Sequence, residues 1–200
     1  MRLPACLNAA VFAAACGLAV AAAAPAEAAF TFTVQQNGPD VEVDGSGSLQ
    51  LSGLSFVGSD NDTLNEISPN IGFLTRLDGP FDIYGGLSGP AAFGPGAGAQ
   101  TTVGGGDTIG VNAGNGRLVV PAGYVSGTLL AATMIFENQT FATLGLTPGT
   151  YVYSWGGQTF GDSITIEVVG PTGVPEPATA LLLGAGLVGL AGARRRRAAG

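Results

Sequence analysis

The 200-residue sequence contains no histidine and no lysine. It has two cysteines, Cys6 and Cys16, and both lie within the first twenty residues. These absences remove whole classes of chemistry. A serine or cysteine nucleophile activated by imidazole needs a histidine, and the Ser-Lys arrangement needs a lysine. Zinc sites are built mainly from His and Cys. If the first segment is removed after export, no thiol remains, so neither a disulfide framework nor a thiol nucleophile is available. Charge is also scarce, at 10% of residues, and unevenly placed. Between positions 29 and 174 the basic residues are Arg76 and Arg117, set against twelve acids, a net charge of −10. So acidic a surface repels phosphate backbones, and a nucleic-acid partner is not expected. Hydrophobic residues nevertheless make up 46% of the chain, enough for a packed core and unlike a disordered composition.

What is present falls into three parts. The N-terminal part has Arg2, then an uncharged Ala/Val/Leu-rich run over residues 9–24, then Pro25-Ala26-Glu27-Ala28-Ala29. Ala26 and Ala28 occupy the small-x-small positions of a signal-peptidase site, with the cut between Ala28 and Ala29. Residues 1–28 are therefore expected to be a signal peptide, which makes signal peptidase a partner. Cys16-Gly17 does not fit a lipidation site, because Ala stands three places upstream and the following residues stay apolar.

The C-terminal part, after a short linker at 171–174, starts with Pro175-Glu176-Pro177. The two prolines remove two N–H donors and hold the chain extended. Residues 178–193 are sixteen uncharged residues, which as a helix would span about 24 Å against a hydrocarbon core of about 30 Å. Arg194, Arg195, Arg196 and Arg197 close the run, and arginines stay on the cytoplasmic side. A transmembrane helix ending at the inner membrane's cytoplasmic face is the expectation. The glycines at 184, 186, 189 and 192 would weaken such a helix in water but are common within membranes.

Pro-Glu-Pro, apolar helix and arginine cluster, in this order, resemble the PEP-CTERM sorting signal. The resemblance covers residues 175–197. It implies recognition by a membrane-embedded exosortase in Gram-negative bacteria that make exopolysaccharide. It further implies cleavage near Pro175-Glu176-Pro177 and delivery of the body to the cell surface or extracellular matrix. The motif is fused to many unrelated bodies and implies no activity.

The middle part, 29–170, shows period-two alternation. Phe30, Phe32 and Val34 share one face, and similar short runs occupy 47–52, 81–84, 117–120, 128–136, 150–155 and 163–169. Gly, Pro, Asn and Asp separate them, which predicts an all-β antiparallel sandwich with less than a tenth helix. The glycine-rich stretch 85–116 lacks the lysine of a phosphate loop, and no helix is expected after it, so it reads as a long irregular loop. The segment Asn138–Gly156, continuing through Gly161–Thr165, is similar to the terminal hairpin of a class of PEP-CTERM bodies, and implies topology only.

Three functions remain for this part. The first is a non-enzymatic surface or matrix protein associated with exopolysaccharide and needing no cofactor. The second is a polysaccharide-binding module using Tyr151, Tyr153 and Trp155, which share a strand face. Burial of Trp155 would favour the first, and exposure beside an acidic groove the second. The third is a glycosidase with two carboxylates about 5–9 Å apart. For a cation, the best candidates are the closely spaced oxygen donors Asp60, Asp62, Asn65 and Glu66, which would suit Ca²⁺; the EF-hand pattern is not met, the run reads as a solvated Asx-rich turn, and no metal is expected.

Overall fold

In the computed structural model, residues 29–157 and 161–170 are described. The expected signal peptide, the 171–174 linker and the whole sorting tail lie outside the described residues. Thirteen strands are described: β1 Ala29–Asn37, β2 Asp40–Ser48, β3 Ser55–Asp62, β4 Asn65–Ser68, β5 Phe73–Arg76, β6 Gly79–Gly85, β7 Ala99–Thr101, β8 Gly104–Gly106, β9 Ile109–Asn112, β10 Arg117–Pro121, β11 Leu129–Phe136, β12 Gly149–Trp155 and β13 Asp162–Val169. The named helical elements are two 3₁₀ turns and the four-residue α1, Phe141–Leu144. Thr140 caps α1, its hydroxyl accepting the Thr143 N–H while Thr143 returns the favour to the Thr140 N–H.

The alternation read from the sequence sets the faces. Phe30, Phe32 and Val34 on β1 are fully buried, and so are Val43, opposite Val34, and Val41 on β2. The strand expected at 47–52 lies earlier. It runs from Asp40 to Ser48, because Gly45 and Gly47 belong to the pairing surface and not to a turn. A Cβ on Gly45 would stand 2.7–2.8 Å from the rings of Phe30 and Phe32. Those rings meet edge to face, 4.9 Å between centroids, in the space that glycine leaves.

One sheet has the order β12-β13-β1-β2-β11-β8, and the other β3-β6-β10-β9-β5-β4-β7. Their inner faces meet in one apolar core. It includes Phe30, Met134 and Ile164 from the first sheet and Ile67, Leu74 and Leu118 from the second. The expectation of purely antiparallel pairing needs correction. β1 and β13 run parallel, with Phe30 beside Ile164, Phe32 beside Ile166 and Val34 beside Val168. Period-two patterning fixes which face is apolar but not strand direction. No short turn joins β1 to β13, so none forces them antiparallel. The terminal β12–β13 pair is antiparallel, with Tyr153 opposite Ile164.

The stretch 85–116 also differs from the expected irregular loop, since it contributes β7, β8 and β9. β8 is Gly104-Gly105-Gly106, laid against β11. A Cβ at Gly106 would sit 2.2 Å from the Ala131 carbonyl oxygen, so only glycine lets the two backbones approach this closely. β7 pairs with β4 in one sheet and β8 with β11 in the other, so residues 102–103 carry the chain across the open edge. The Ile135 N–H donates to the Val103 carbonyl there, at 3.0 Å.

Candidate functional sites

The acidic segment around residue 62 sits at a bend. β3 with β6, and β4 with β5, are consecutive parts of one long hairpin. Asp62 lies opposite Gly79, and four residues further on Glu66 lies opposite Thr75, so the register carries across the interruption. At a bend the ladder is broken and backbone donors need other acceptors. Asp62 accepts the N–H groups of Thr63 (2.7 Å) and Leu64 (3.3 Å). Buried Asn65 accepts the Leu77 N–H at 3.0 Å, and the Thr108 hydroxyl accepts the Asp78 N–H at 2.9 Å. Arg76, almost fully buried, reaches Asp78 at 3.0 Å.

The four candidate cation ligands are therefore spread out and employed differently. Asp60 takes the Asn61 N–H on exposed β3. Glu66 accepts from the Ser68 hydroxyl (2.7 Å) and the Gln100 amide (3.0 Å). The structure does not gather Asp60, Asp62, Asn65 and Glu66 round a point. Among the described residues no group of three His, Cys, Asp or Glu is placed to hold a metal ion. These oxygens serve backbone donors and neighbouring side chains, as in a polar turn.

The aromatic stripe on β12 is also placed differently from a sugar platform. Trp155 is 4% exposed, and its indole N–H donates to the Gln50 carbonyl at 2.8 Å. Tyr153 is fully buried, its hydroxyl has no hydrogen-bond partner, and burial followed by the neighbouring Tyr151 pushes its pKa up to about 12. Tyr151 is half-buried, donates its hydroxyl to the Thr147 carbonyl at 2.9 Å, and packs its ring near Phe93. The shared face read from the sequence is real, but it is the core face. This stripe offers no stacking surface to a polysaccharide.

An open cleft of about 490 Å³ is lined by Ala29, Ser88, Ser154, Trp155, Asp162 and Ser163 together with three glycines. Asp162 is 5% exposed and accepts the N–H groups of Gln50 and Ser163, at 2.5 and 2.6 Å. Ser88 and Ser154 exchange backbone hydrogen bonds of 3.0 and 2.8 Å, tying the loop after β6 to the outer edge of β12. A second cleft, of about 410 Å³, carries Glu137, and a third, of about 330 Å³, carries Glu66. Each of these three has a single carboxylate in its lining, where glycoside hydrolysis uses two. The first cleft was not legible in the sequence. It draws on four separate segments, and nothing in the sequence marks them as converging.

The domain so described is an all-β body of two mainly antiparallel sheets, and the sequence continues from it into the tail. Residues 173–197 match the family model of the PEP-CTERM protein-sorting motif. The chain thus carries the signal that exosortase recognises, which implies exosortase-dependent sorting to the cell surface. Pro175, Glu176, Pro177 and Arg194 to Arg197 fall inside the matched segment; they lie outside the described residues, and so does Ala28 of the expected signal-peptidase site. No curated protein and no solved structure matches the chain.

Proposed function

We propose that the chain is a non-enzymatic surface or extracellular-matrix protein, exported behind a cleaved signal peptide and associated with exopolysaccharide. Residues 178–193 hold it transiently in the inner membrane until exosortase cuts close to Pro175-Glu176-Pro177. The observation that carries this reading is the sorting motif at 173–197, joined to a β-rich body. Two further points support it. The body has neither histidine nor lysine to activate a nucleophile. Its aromatic stripe is spent on the core.

The physical logic of the tail makes it testable. Sixteen uncharged residues are marginal for a span, so the arginines must stop the chain. Each arginine at the bilayer centre costs about 2.5–3.5 kcal/mol on insertion scales. Replacing Arg194 to Arg197 with serine should give an unprocessed secreted form. Glu176→Ala should leave the chain inserted and uncut. Fractionation with an epitope before residue 170 reads both. Release of both variants at wild-type size would refute the sorting mechanism, and failure of the wild-type protein to co-sediment with exopolysaccharide would refute the matrix association.

A further inference from the structure

We infer that removal of the signal peptide before Ala29 creates an α-ammonium group that pairs with Asp162 at the mouth of the first cleft, adding a cation to the contacts this carboxylate already makes. The inference rests on the reading that the cut falls between Ala28 and Ala29.

Ala29 is both the first residue of β1 and part of the cleft lining, and Asp162 lines the same cleft. β1 and β13 are parallel, with Ala29 beside Ser163. The level one residue before Ala29 is therefore the level of Asp162, and the Ala29 nitrogen is the end of that residue nearest to it. Neighbouring strands lie about 4.8 Å apart, so the ammonium group starts one strand spacing from the Asp162 backbone, and the carboxylate lines the same cleft as Ala29. The strand cannot slide away from this position, since Phe30 is fully buried directly after Ala29. The carboxylate is likewise fixed, by the N–H groups of Gln50 and Ser163.

Among the described residues, other charges near this end of the sheet are few. Of the two basic side chains between 29 and 170, Arg76 is paired with Asp78, and Arg117 is exposed on β10 in the other sheet. Tyr124 feels the Asp162 charge, and its own pKa is raised chiefly by burial. β12 presents Tyr153 and Trp155, and the end of β2 opposite Ala29 presents Ser46, Gly47 and Ser48, none ionised at neutral pH. A free α-amino group titrates at about 7.7–8.0. Pairing raises that value in the folded state. The stabilisation is therefore complete below the unfolded value and is lost as pH rises through the raised one.

The absence of lysine makes this group addressable. In the processed chain the α-amino group is the only primary amine, so reductive methylation with ¹³C-formaldehyde labels that site alone and keeps its charge. The experiment titrates this single NMR signal in the signal-peptidase-processed protein, tail retained, in detergent. The first residue is fixed by mass spectrometry. The folded protein should hold the proton about three- to tenfold more tightly than the same protein in urea, at matched salt, and Asp162→Asn should abolish the difference. Equal affinities folded and in urea, with Ala29 shown to be first, overturn the pairing alone. So does tighter holding that survives Asp162→Asn. If that variant does not fold, the wild-type comparison with urea decides. A mass that places the start elsewhere overturns the cleavage reading, and the pairing with it.

Discussion

Tyr153 gives the most direct test of the core. Its ring is fully buried and its hydroxyl meets no partner, so the oxygen was taken from water without compensation. A buried polar group left unsatisfied costs about 1–3 kcal/mol. Tyr153→Phe keeps the ring, removes that oxygen, and should stabilise the domain by about 1 kcal/mol, allowing for partial relaxation in the wild type. The same phenol predicts an alkaline limb. Its pKa is pushed from 10 up to about 12 in the folded state by burial and then by Tyr151. A raised folded value means that stability is complete below pH 10 and lost between about pH 10 and 12. Two pH units correspond to about 2.7 kcal/mol. Urea denaturation at pH 8 and pH 11.5, for wild type and Tyr153→Phe, separates the two effects. The variant should be the more stable at pH 8, and its advantage should grow at pH 11.5. Destabilisation at pH 8 would show that the hydroxyl has a partner, such as a trapped water, and would refute the argument.

Two further outcomes follow from the sites. Trp155→Ala removes the only tryptophan, its packing and the bond to the Gln50 carbonyl, and should cost about 3–5 kcal/mol in urea denaturation followed by circular dichroism. A loss below about 1 kcal/mol would return Trp155 to the surface and reopen it as a sugar contact. Asn65→Ala leaves the Leu77 N–H without its acceptor and should cost about 1–3 kcal/mol. Millimolar Ca²⁺ should leave the melting temperature of wild type and variant unchanged, and a Ca²⁺-dependent rise in the wild type would restore the cation site.

Apolar faces were legible in the sequence because alternation records burial directly. Phe30, Phe32 and Val34 face inward as read, and so do Tyr153, Trp155, Ile164 and Ile166. Strand direction was not legible, because Phe32 packs beside Ile166 equally well in either sense. The glycine segments were misread for a related reason. Gly45, Gly104 and Gly106 carry no side chain to show a period, yet each is needed where a ring or a backbone comes too close for a Cβ. The acidic run of 60–66 was visible as a cluster of oxygens. What those oxygens accept depended on a bend that brings Leu77 back to Asn65, and local spacing does not encode that. The sorting motif was legible, since its information is linear: two prolines round a glutamate, an apolar run and four arginines.

The edges of the sheets bear on how such a body survives outside the cell. A chain sorted to the surface folds among its own copies, and an open strand edge invites pairing between them. Three of the four edges are guarded by neighbouring structure. β12 is bridged by Ser88, and β7 and β8 are joined across the gap beside β11. β3 is the open one, exposed along nearly its whole length, with Phe56 and Val57 in solvent. Here the protection is chemical. A bulge between Phe56 and Gly58 breaks the flat register that a second copy would need. Beyond it Asp60 and Asp62 place carboxylates on the edge, so two such strands brought together would oppose like charges. Asp60 and Asp62 thus have two roles, as acceptors for nearby backbone N–H groups and as a barrier on the strand most able to aggregate.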